Sequence, residues 1–394
     1  MTNKLGQFYT DDLISNLMIS RIINKNPTTI VELGIGQGSL AKAALRRWKN
    51  SQIIGVDIDI NNIETLNTKF PEIQCFLING LSSNLSNSLK VQLGSIDVGI
   101  CNPPYLPVIK KPEIEEILIS AKLGSFENYS LISSDLVFLA QNLKLIKDDG
   151  ELAIILPDGM ITSHNFEQFR NLLLMNYKVS ACIELPSKIF KKTEAKTHIL
   201  VIKKSSQRAR KINLYRSNHK AELKDKISIT LKMAIKRMDF NFYALKPKLI
   251  KNSKSLAELK AKVFRGSASK KILETMNYNF IHTSDFTSNN KEIILKDNEN
   301  VFMHNMNFAQ EGDILIPRVG KRCLGKALKI TKGKVLISDC VYVIRLKKEF
   351  QENLFNVLES DYGKNWVAAH AHGVCAKVIS KKDLMKFTIP SENT

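Results

Sequence analysis

Thr28-Thr29-Ile30-Val31-Glu32-Leu33 runs directly into Gly34-Ile35-Gly36-Gln37-Gly38, and residues 39–49 continue with a helical pattern. The β-branched run suits a strand. The glycines let a ligand approach the backbone, and the helix N-terminus lies just beyond. Strand, glycine loop and helix in this order open a parallel, doubly wound α/β sheet. The loop is GxGxG and not GxGxxG. A second apolar stretch, 52–58, carries Asp57, which stands 19 residues beyond Gly38. At that spacing a carboxylate reaches both hydroxyls of a ribose.

The short loop offers no wide cradle for phosphates, and Glu32 beside it would repel a pyrophosphate. An acid at this position suits a cationic ligand. That favours S-adenosylmethionine, with its sulfonium and amino group, over NAD. Further strands are expected at 73–78 (closed by Asn79-Gly80), 96–100, 151–156 (closed by Pro157-Asp158-Gly159), 179–185 and 198–203. Helices at 134–146 and 166–175 fall between them. Seven strands through residue 203 predict one seven-stranded, doubly wound α/β domain.

The strand at 96–100 stops at Cys101-Asn102-Pro103-Pro104-Tyr105. Each proline fixes its own φ and pushes the preceding residue toward extended geometry. The Asn102 side chain and the Pro103 carbonyl are therefore held at the carboxyl end of a strand, where ligands sit in open α/β sheets. Two such acceptors fit a planar amino group, and Tyr105 is placed to stack on the ring that carries it. An ordinary proline turn with a core tyrosine is the plain alternative. Near the N-terminus, Gly6-Gln7-Phe8-Tyr9 leads to Thr10-Asp11-Asp12 and a helix with Leu13, Ile14, Leu17, Met18 and Ile22 on one face. Thr10 is the expected N-cap. One of the two aromatics could face a ligand, or both could anchor the helix.

With 394 residues the chain is long enough for two domains, and 44% hydrophobic with 24% charged residues is a globular composition. The net charge is +20, and residues 203–279 hold 21 Lys and Arg against 5 Asp and Glu. A basic middle of this size points to a polyanionic partner, with solubility as the other explanation. The six cysteines form no CxxC, and several lie in apolar runs. They read as reduced core thiols of a cytoplasmic protein. His370-Ala371-His372 has no cysteine or carboxylate at ligand spacing, so no metal site is expected. No signal-peptide pattern and no apolar run of about 18 residues is present, so no membrane span is expected.

From 205 to 237 the sequence turns polar and basic, which predicts a connector with one amphipathic helix around 227–238. A second unit follows Asp239-Phe240-Asn241-Phe242-Tyr243. It is expected to be α+β, with a short helix carrying Leu256 and Leu259, the loop Arg265-Gly266-Ser267, strands at 313–317, 327–330 and 340–346, a helix at 350–358 and a final strand at 384–390.

Taken in order, Phe8-Tyr9-Thr10, Glu32-Leu33-Gly34-Ile35-Gly36-Gln37-Gly38, Asp57, Asn102-Pro103-Pro104-Tyr105 and Phe190 resemble the amino-methylating (N6-adenine) DNA methyltransferases. The arrangement is that of restriction–modification enzymes whose target-recognition domain follows the catalytic domain. The resemblance covers residues 4–203, and the ordered set is more specific than any one motif. The second unit resembles the target-recognition domains of specificity subunits, through Arg237-Met238-Asp239, Phe242-Tyr243, the run Glu311 to Gly320 and the segment Gly373 to Pro390. This organisation implies a catalytic domain at 1–204, a basic connector at 205–250 and a DNA target-recognition domain at 251–394.

The resemblance implies that Phe8 faces the cofactor, and that Thr10 and Glu32 hold the methionine part of S-adenosylmethionine. Gly34 and Gly36 would pass close to it and Asp57 would bind its ribose. Asn102, Pro103 and Tyr105 would be the catalytic residues, with Asn102 and Pro103 accepting from the adenine N6 amino group. Tyr105 and Phe190 would stack on a flipped base. The family often has an acid after the third strand, where this chain has Asn79. Arg318, Lys321 and Arg322 would read bases, although surface charge explains them equally well. Double-stranded DNA is the implied partner, with a separate restriction endonuclease or specificity subunit beside it.

An aromatic amino nitrogen is a poor nucleophile because its lone pair is delocalised. Two acceptors on its hydrogens free that pair, and the base must leave the duplex to reach them. Three other readings remain open. A methyltransferase acting on RNA or a protein glutamine amide can use the same turn. A non-catalytic DNA-binding specificity protein could keep the fold. Pro157-Asp158 with Glu194-Ala195-Lys196 formally matches a nuclease pattern, which is expected to be coincidence because those residues fall at strand ends.

Overall fold

The apolar runs around the glycine loop become adjacent parallel strands at the heart of one sheet in the computed structural model. The structure describes all residues except 1–9, 127–128, 187–188, 191–195, 206, 246–251, 277, 288–290, 295–305, 321, 373–375 and 391–394. The chain divides into two units, Met1–Phe240 and Asn241–Thr394.

In the first unit the elements are α1 (Asp12–Ser20), β1 (Thr29–Leu33), α2 (Ser39–Arg47), β2 (Gln52–Asp57), α3 (Ile60–Lys69), β3 (Ile73–Leu77), α4 (Leu85–Ser88) and β4 (Ile96–Cys101). A small hairpin of β5 (Pro107–Ile109) and β6 (Leu131–Ser133) encloses α5 (Pro112–Ser120). Then come α6 (Ser134–Leu145), β7 (Ile146–Pro157), α7 (Asp158–Thr162), α8 (Glu167–Asn176), β8 (Lys178–Glu184) and β9 (Thr197–Lys203). The unit closes with β10 (Lys211–Ser217), β11 (Leu223–Thr230) and α9 (Leu231–Lys236).

The sheet has the order β11-β10-β8-β9-β7-β4-β1-β2-β3. β1 pairs in parallel with β2 on one side and β4 on the other. That divergence is the topological switch point at which open α/β sheets bind ligands. All six residues of β4 are buried, because helices cover both faces of a parallel core. β9 runs antiparallel between β7 and β8.

The sheet therefore has nine strands, not seven. β10 and β11 come from the stretch expected to be a connector, and the helix expected at 227–238 is confined to the six residues of α9. β10 does alternate, with Ile212 and Leu214 fully buried. Its partner β11 is an edge strand with Lys224, Asp225 and Lys226 exposed. Charged edge strands resist pairing with other chains and so read as polar linker. The expected N-cap also shifts by one residue: Asp11 caps α1 by accepting from the Leu13 N–H at 2.9 Å.

The second unit is α+β. Its main sheet orders Lys262–Arg265, Val341–Arg345, Ile314–Pro317, Leu328–Lys332 and Glu292–Ile294. Alternation sends Ile314, Ile316 and Ile344 to a core with Leu354 and Trp366 of the helices Gln351–Glu359 and Asp361–His370. Leu315 and Val343 enter a second core on the other face. No helix carries Leu256 and Leu259. Ser253–Ser255 instead pairs with Thr388–Pro390, and residues 256–260 form a turn beneath it.

Candidate active site

The glycine loop is held at its base by the neighbouring strand. The Gly34 and Ile35 N–H groups both donate to the Val56 carbonyl at 2.8 Å. The Gly36 N–H donates to Asp57 Oδ2 at 2.7 Å, so the loop after β1 is tied to the end of β2. Asp57 also accepts from the Asp59 N–H at 2.8 Å and from Asn62 Nδ2 at 3.3 Å. Gly38 sits at φ +74°, and a Cβ there would lie 2.7 Å from Leu66.

Glu32 is 3% exposed and accepts from the Ala41 N–H in the first turn of α2 at 2.8 Å. Burial pushes its carboxyl well above the usual range, and the neighbouring Asp57 charge acts in the same direction. Asn79 accepts from the Leu81 N–H at 3.0 Å and shapes the loop after β3.

At the end of β4, the Asn102 side-chain amide donates to the Thr10 hydroxyl at 3.0 Å. The amide oxygen of Asn102 is thereby directed away from Thr10. Ser134, at the start of α6, donates through its hydroxyl to the Pro104 carbonyl and accepts from the Leu106 N–H at 3.0 Å. Four residues on, the Phe138 ring packs where a Cβ on Gly80 would stand 2.9 Å away. Tyr105 is half-buried. Burial raises its phenol well above the ordinary value, and the Asp135 charge adds to the rise.

These loops surround a cavity of about 260 Å³. Thr10, Glu32, Gly34, Gly36, Asp57, Asn79 and Asn102 all line it. Phe8 and Lys321 lie outside the described residues. Pro103 and Tyr105 belong to the turn but are not among the lining residues. Phe190 is 3% exposed and packs in the core with Ala181, Ile183 and Leu185, so it offers no face to the cavity. In the second unit Arg318 is half-buried, with Nε donating to the Asp339 carbonyl at 2.9 Å, and Arg322 is exposed.

Sequence reasoning missed Ser134 and Phe138, which both line the cavity. Their i, i+4 spacing on one helix was the only available signal, and it does not distinguish a cavity wall from core. The donor set suits S-adenosylmethionine: Glu32 for positive charge, Asp57 for a diol, and Ile58, Ile78 and Phe138 as apolar walls for a ring.

The nuclease-like residues are otherwise engaged. Lys196 Nζ lies 2.9 Å from Glu184 and 3.4 Å from Asp158, and His198 Nε2 lies 2.9 Å from Asp158. Burial would raise the Asp158 carboxyl, but His198 and Lys196 outweigh it and hold it below the usual range. Glu194 lies outside the described residues. Among the described residues, no group of three or more His, Cys, Asp or Glu is arranged to hold a metal, and no helix is long and apolar enough to cross a membrane.

The family model for N-6 DNA Methylase matches residues 1–263 of the 394. The chain belongs to the N-6 DNA Methylase family. The matched residues include the loops after β1, β2, β3 and β4 and the helix α6 that line the cavity. The chain is similar to a bifunctional methyltransferase of Rickettsia bellii, 32% identical over 137 residues, covering 32% of this chain and 24% of that protein. It is similar to the methylase subunit of the type I restriction enzyme MpnII of Mycoplasma pneumoniae, 25% identical over 221 residues, covering 51% of this chain and 40% of that protein. The chain therefore matches less than half of the length of either relative. Among solved structures, the type IIG restriction endonuclease BpuSI superimposes with a TM-score of 0.52 at 14% identity, covering 98% of this chain and 59% of that one. That likeness establishes shared fold alone.

Proposed function

We propose that this chain transfers the methyl group of S-adenosylmethionine to the N6 amino group of adenine in DNA. The observation that carries the proposal is the placement of Asn102, fixed by Thr10, on the same cavity as Glu32 and Asp57. When bound, S-adenosylmethionine supplies an electrophilic methyl group.

Glu32 would hold the cationic part of the donor and Asp57 would accept from its ribose hydroxyls, since both line the cavity. The Asn102 Oδ1 and the Pro103 carbonyl accept the two N–H bonds of the target amino group. Acceptance from both hydrogens draws the nitrogen lone pair out of the ring, so that it could attack the methyl carbon in line while the carbon–sulfur bond breaks, the sulfur leaves as a neutral thioether and one amino hydrogen passes to water as a proton. The target base reaches this turn by leaving the duplex, and Tyr105 stacks on it to offset part of the unstacking cost. Phe190 would stack only after leaving its core position, so Tyr105 carries the stacking role. The basic surface binds phosphates, while residues 251–394 choose the sequence, with Arg318, Lys321 and Arg322 as base readers. A separate restriction endonuclease or specificity subunit completes the restriction–modification system, as the similarity to a type I restriction enzyme methylase subunit suggests.

Incubation with labelled S-adenosylmethionine and duplex DNA is expected to yield N6-methyladenine. Asn102→Ala is expected to abolish the product while donor binding persists. Label found only in RNA or in protein glutamine would overturn the DNA assignment, and donor-independent DNA binding without transfer would favour a specificity protein.

A further inference from the structure

Ser134 opens α6, but its hydroxyl does not cap that helix. The N-cap position is Ser133, whose side chain makes no capping hydrogen bond. Ser134 is 1% exposed, and its hydroxyl reaches back across 30 positions to the turn after β4. There it donates to the Pro104 carbonyl and accepts from the Leu106 N–H at 3.0 Å. The Ser134 N–H donates to the Leu106 carbonyl at 2.8 Å. One residue thus holds main-chain groups on both sides of Tyr105.

The torsions of the turn explain why this matters. Cys101 is held by the sheet, pairing with Ile154 of β7. The rings of Pro103 and Pro104 fix their φ angles. The Asn102 side chain is held by Thr10. Each proline also restricts the residue before it, so the softest torsions that remain are ψ at 104 and the pair at Tyr105. The three Ser134 hydrogen bonds restrain the last of these directly. Four residues along the same helix, Phe138 packs its ring against the positions of Gly34 and Gly80. The face of α6 that carries Ser134 and Phe138 therefore touches the loops after β1, β3 and β4.

We propose that Ser134 is a positioning residue for methyl transfer, acting on the acceptor amino group only through the 102–105 turn that it holds. The inference rests on the function proposed above. A purely structural serine would instead lower stability, donor affinity and turnover together. A displacement of about 1 Å at a reacting group can lower turnover by roughly 100-fold.

The test compares the wild type with Ser134→Ala and Ser134→Thr. For Ser134→Ala, turnover is expected to fall by roughly 10- to 100-fold, while the dissociation constant for S-adenosylmethionine stays within about two-fold of the wild type. Ser134→Thr, which keeps the hydroxyl, is expected to recover most of the turnover. Unchanged turnover in Ser134→Ala, or parallel loss of donor affinity, would overturn the proposal. If wild-type label enters RNA or protein and not DNA, the function assigned above fails, and the turnover ratio on that acceptor still decides the role of Ser134. A readout free of turnover is the 19F signal of fluorotyrosine at position 105. It is expected to be single and sharp in the wild type and broadened or split in Ser134→Ala. An identical signal in both proteins would also refute the assignment.

Discussion

The side-chain amide of Asn102 donates a hydrogen bond of 3.0 Å to the hydroxyl of Thr10, across 92 positions of sequence. Thr10 was expected to cap α1, a task that falls to Asp11. The Thr10 hydroxyl is left to orient the amide at the end of β4. With its NH₂ group donating to Thr10, the amide turns its oxygen, the atom that can accept from a target amino group, to the other side.

Thr10→Val keeps the volume and removes the oxygen. The Asn102 amide then loses the hydroxyl that accepts from its NH₂ group. Methyl transfer is expected to fall roughly ten-fold, because a lost hydrogen bond of about 1 kcal/mol or more loosens the amide that accepts from the target amino group. Thr10→Ser should retain most activity. Single-turnover rates measured at saturating donor would check this, and equal rates for Thr10→Val and wild type would refute it.

Donor binding should depend on pH through Glu32. Burial holds its carboxyl well above the usual range. A cationic ligand binds the ionised form better, so affinity should strengthen as pH rises through that raised value and then level off. Glu32→Gln should bind more weakly at high pH and lose this dependence. Calorimetric titration across pH distinguishes the two behaviours, and a pH-independent wild type would contradict the assignment.

Gly80→Ala tests the wall of the cavity. The added Cβ would stand 2.9 Å from two atoms of the Phe138 ring. The ring must shift, and overpacking of this kind costs typically 1–3 kcal/mol. Donor affinity is expected to fall roughly ten-fold. Gly80→Ala combined with Phe138→Leu should recover part of it, as measured by equilibrium dialysis.

Asp135 should be a stability liability at neutral pH. It is fully buried beside the turn, and burial raises its carboxyl from 3.8 to about 6. For an acid raised on folding, no penalty exists below the unfolded value. The penalty grows between about pH 4 and pH 6 and is complete above. Two units correspond to about 3 kcal/mol. Asp135→Asn is therefore expected to unfold at higher urea than wild type at pH 8, with the gap closing toward pH 4. A gap independent of pH would rule out the carboxyl as its source.

The carboxyl-edge residues of the first four strands were legible because neighbours along the chain create them. Glu32, Gly34, Gly36, Asp57, Asn79 and Asn102 each follow from a strand that ends at a turn, and the cavity collects all of them. Phe190 shows the limit of that logic. Its stacking role came from the family resemblance alone, and here it is 3% exposed in the core of the sheet face. Which way a loop side chain faces depends on what packs over it.

The same distinction separates β10 from β11. The fully buried Ile212 and Leu214 belong to a strand, but its partner carries exposed Lys224, Asp225 and Lys226. An edge strand earns its place through backbone pairing with a neighbour, not through an apolar face of its own.

By itself, the sequence of this protein determined the local torsions: the glycine loop after β1, the proline-locked turn after β4 and the order of strands that brings both to one edge of a sheet. These depend on φ and ψ preferences of adjacent residues, which no distant contact has to supply. The tertiary structure alone decided the two added strands β10 and β11, the Thr10 bond to Asn102, the Ser134 hold on the turn and the Phe138 wall. The last three are contacts between residues far apart in sequence, 30 positions for Ser134 with Pro104 and 92 for Thr10 with Asn102. Their partners become neighbours only once the sheet has formed.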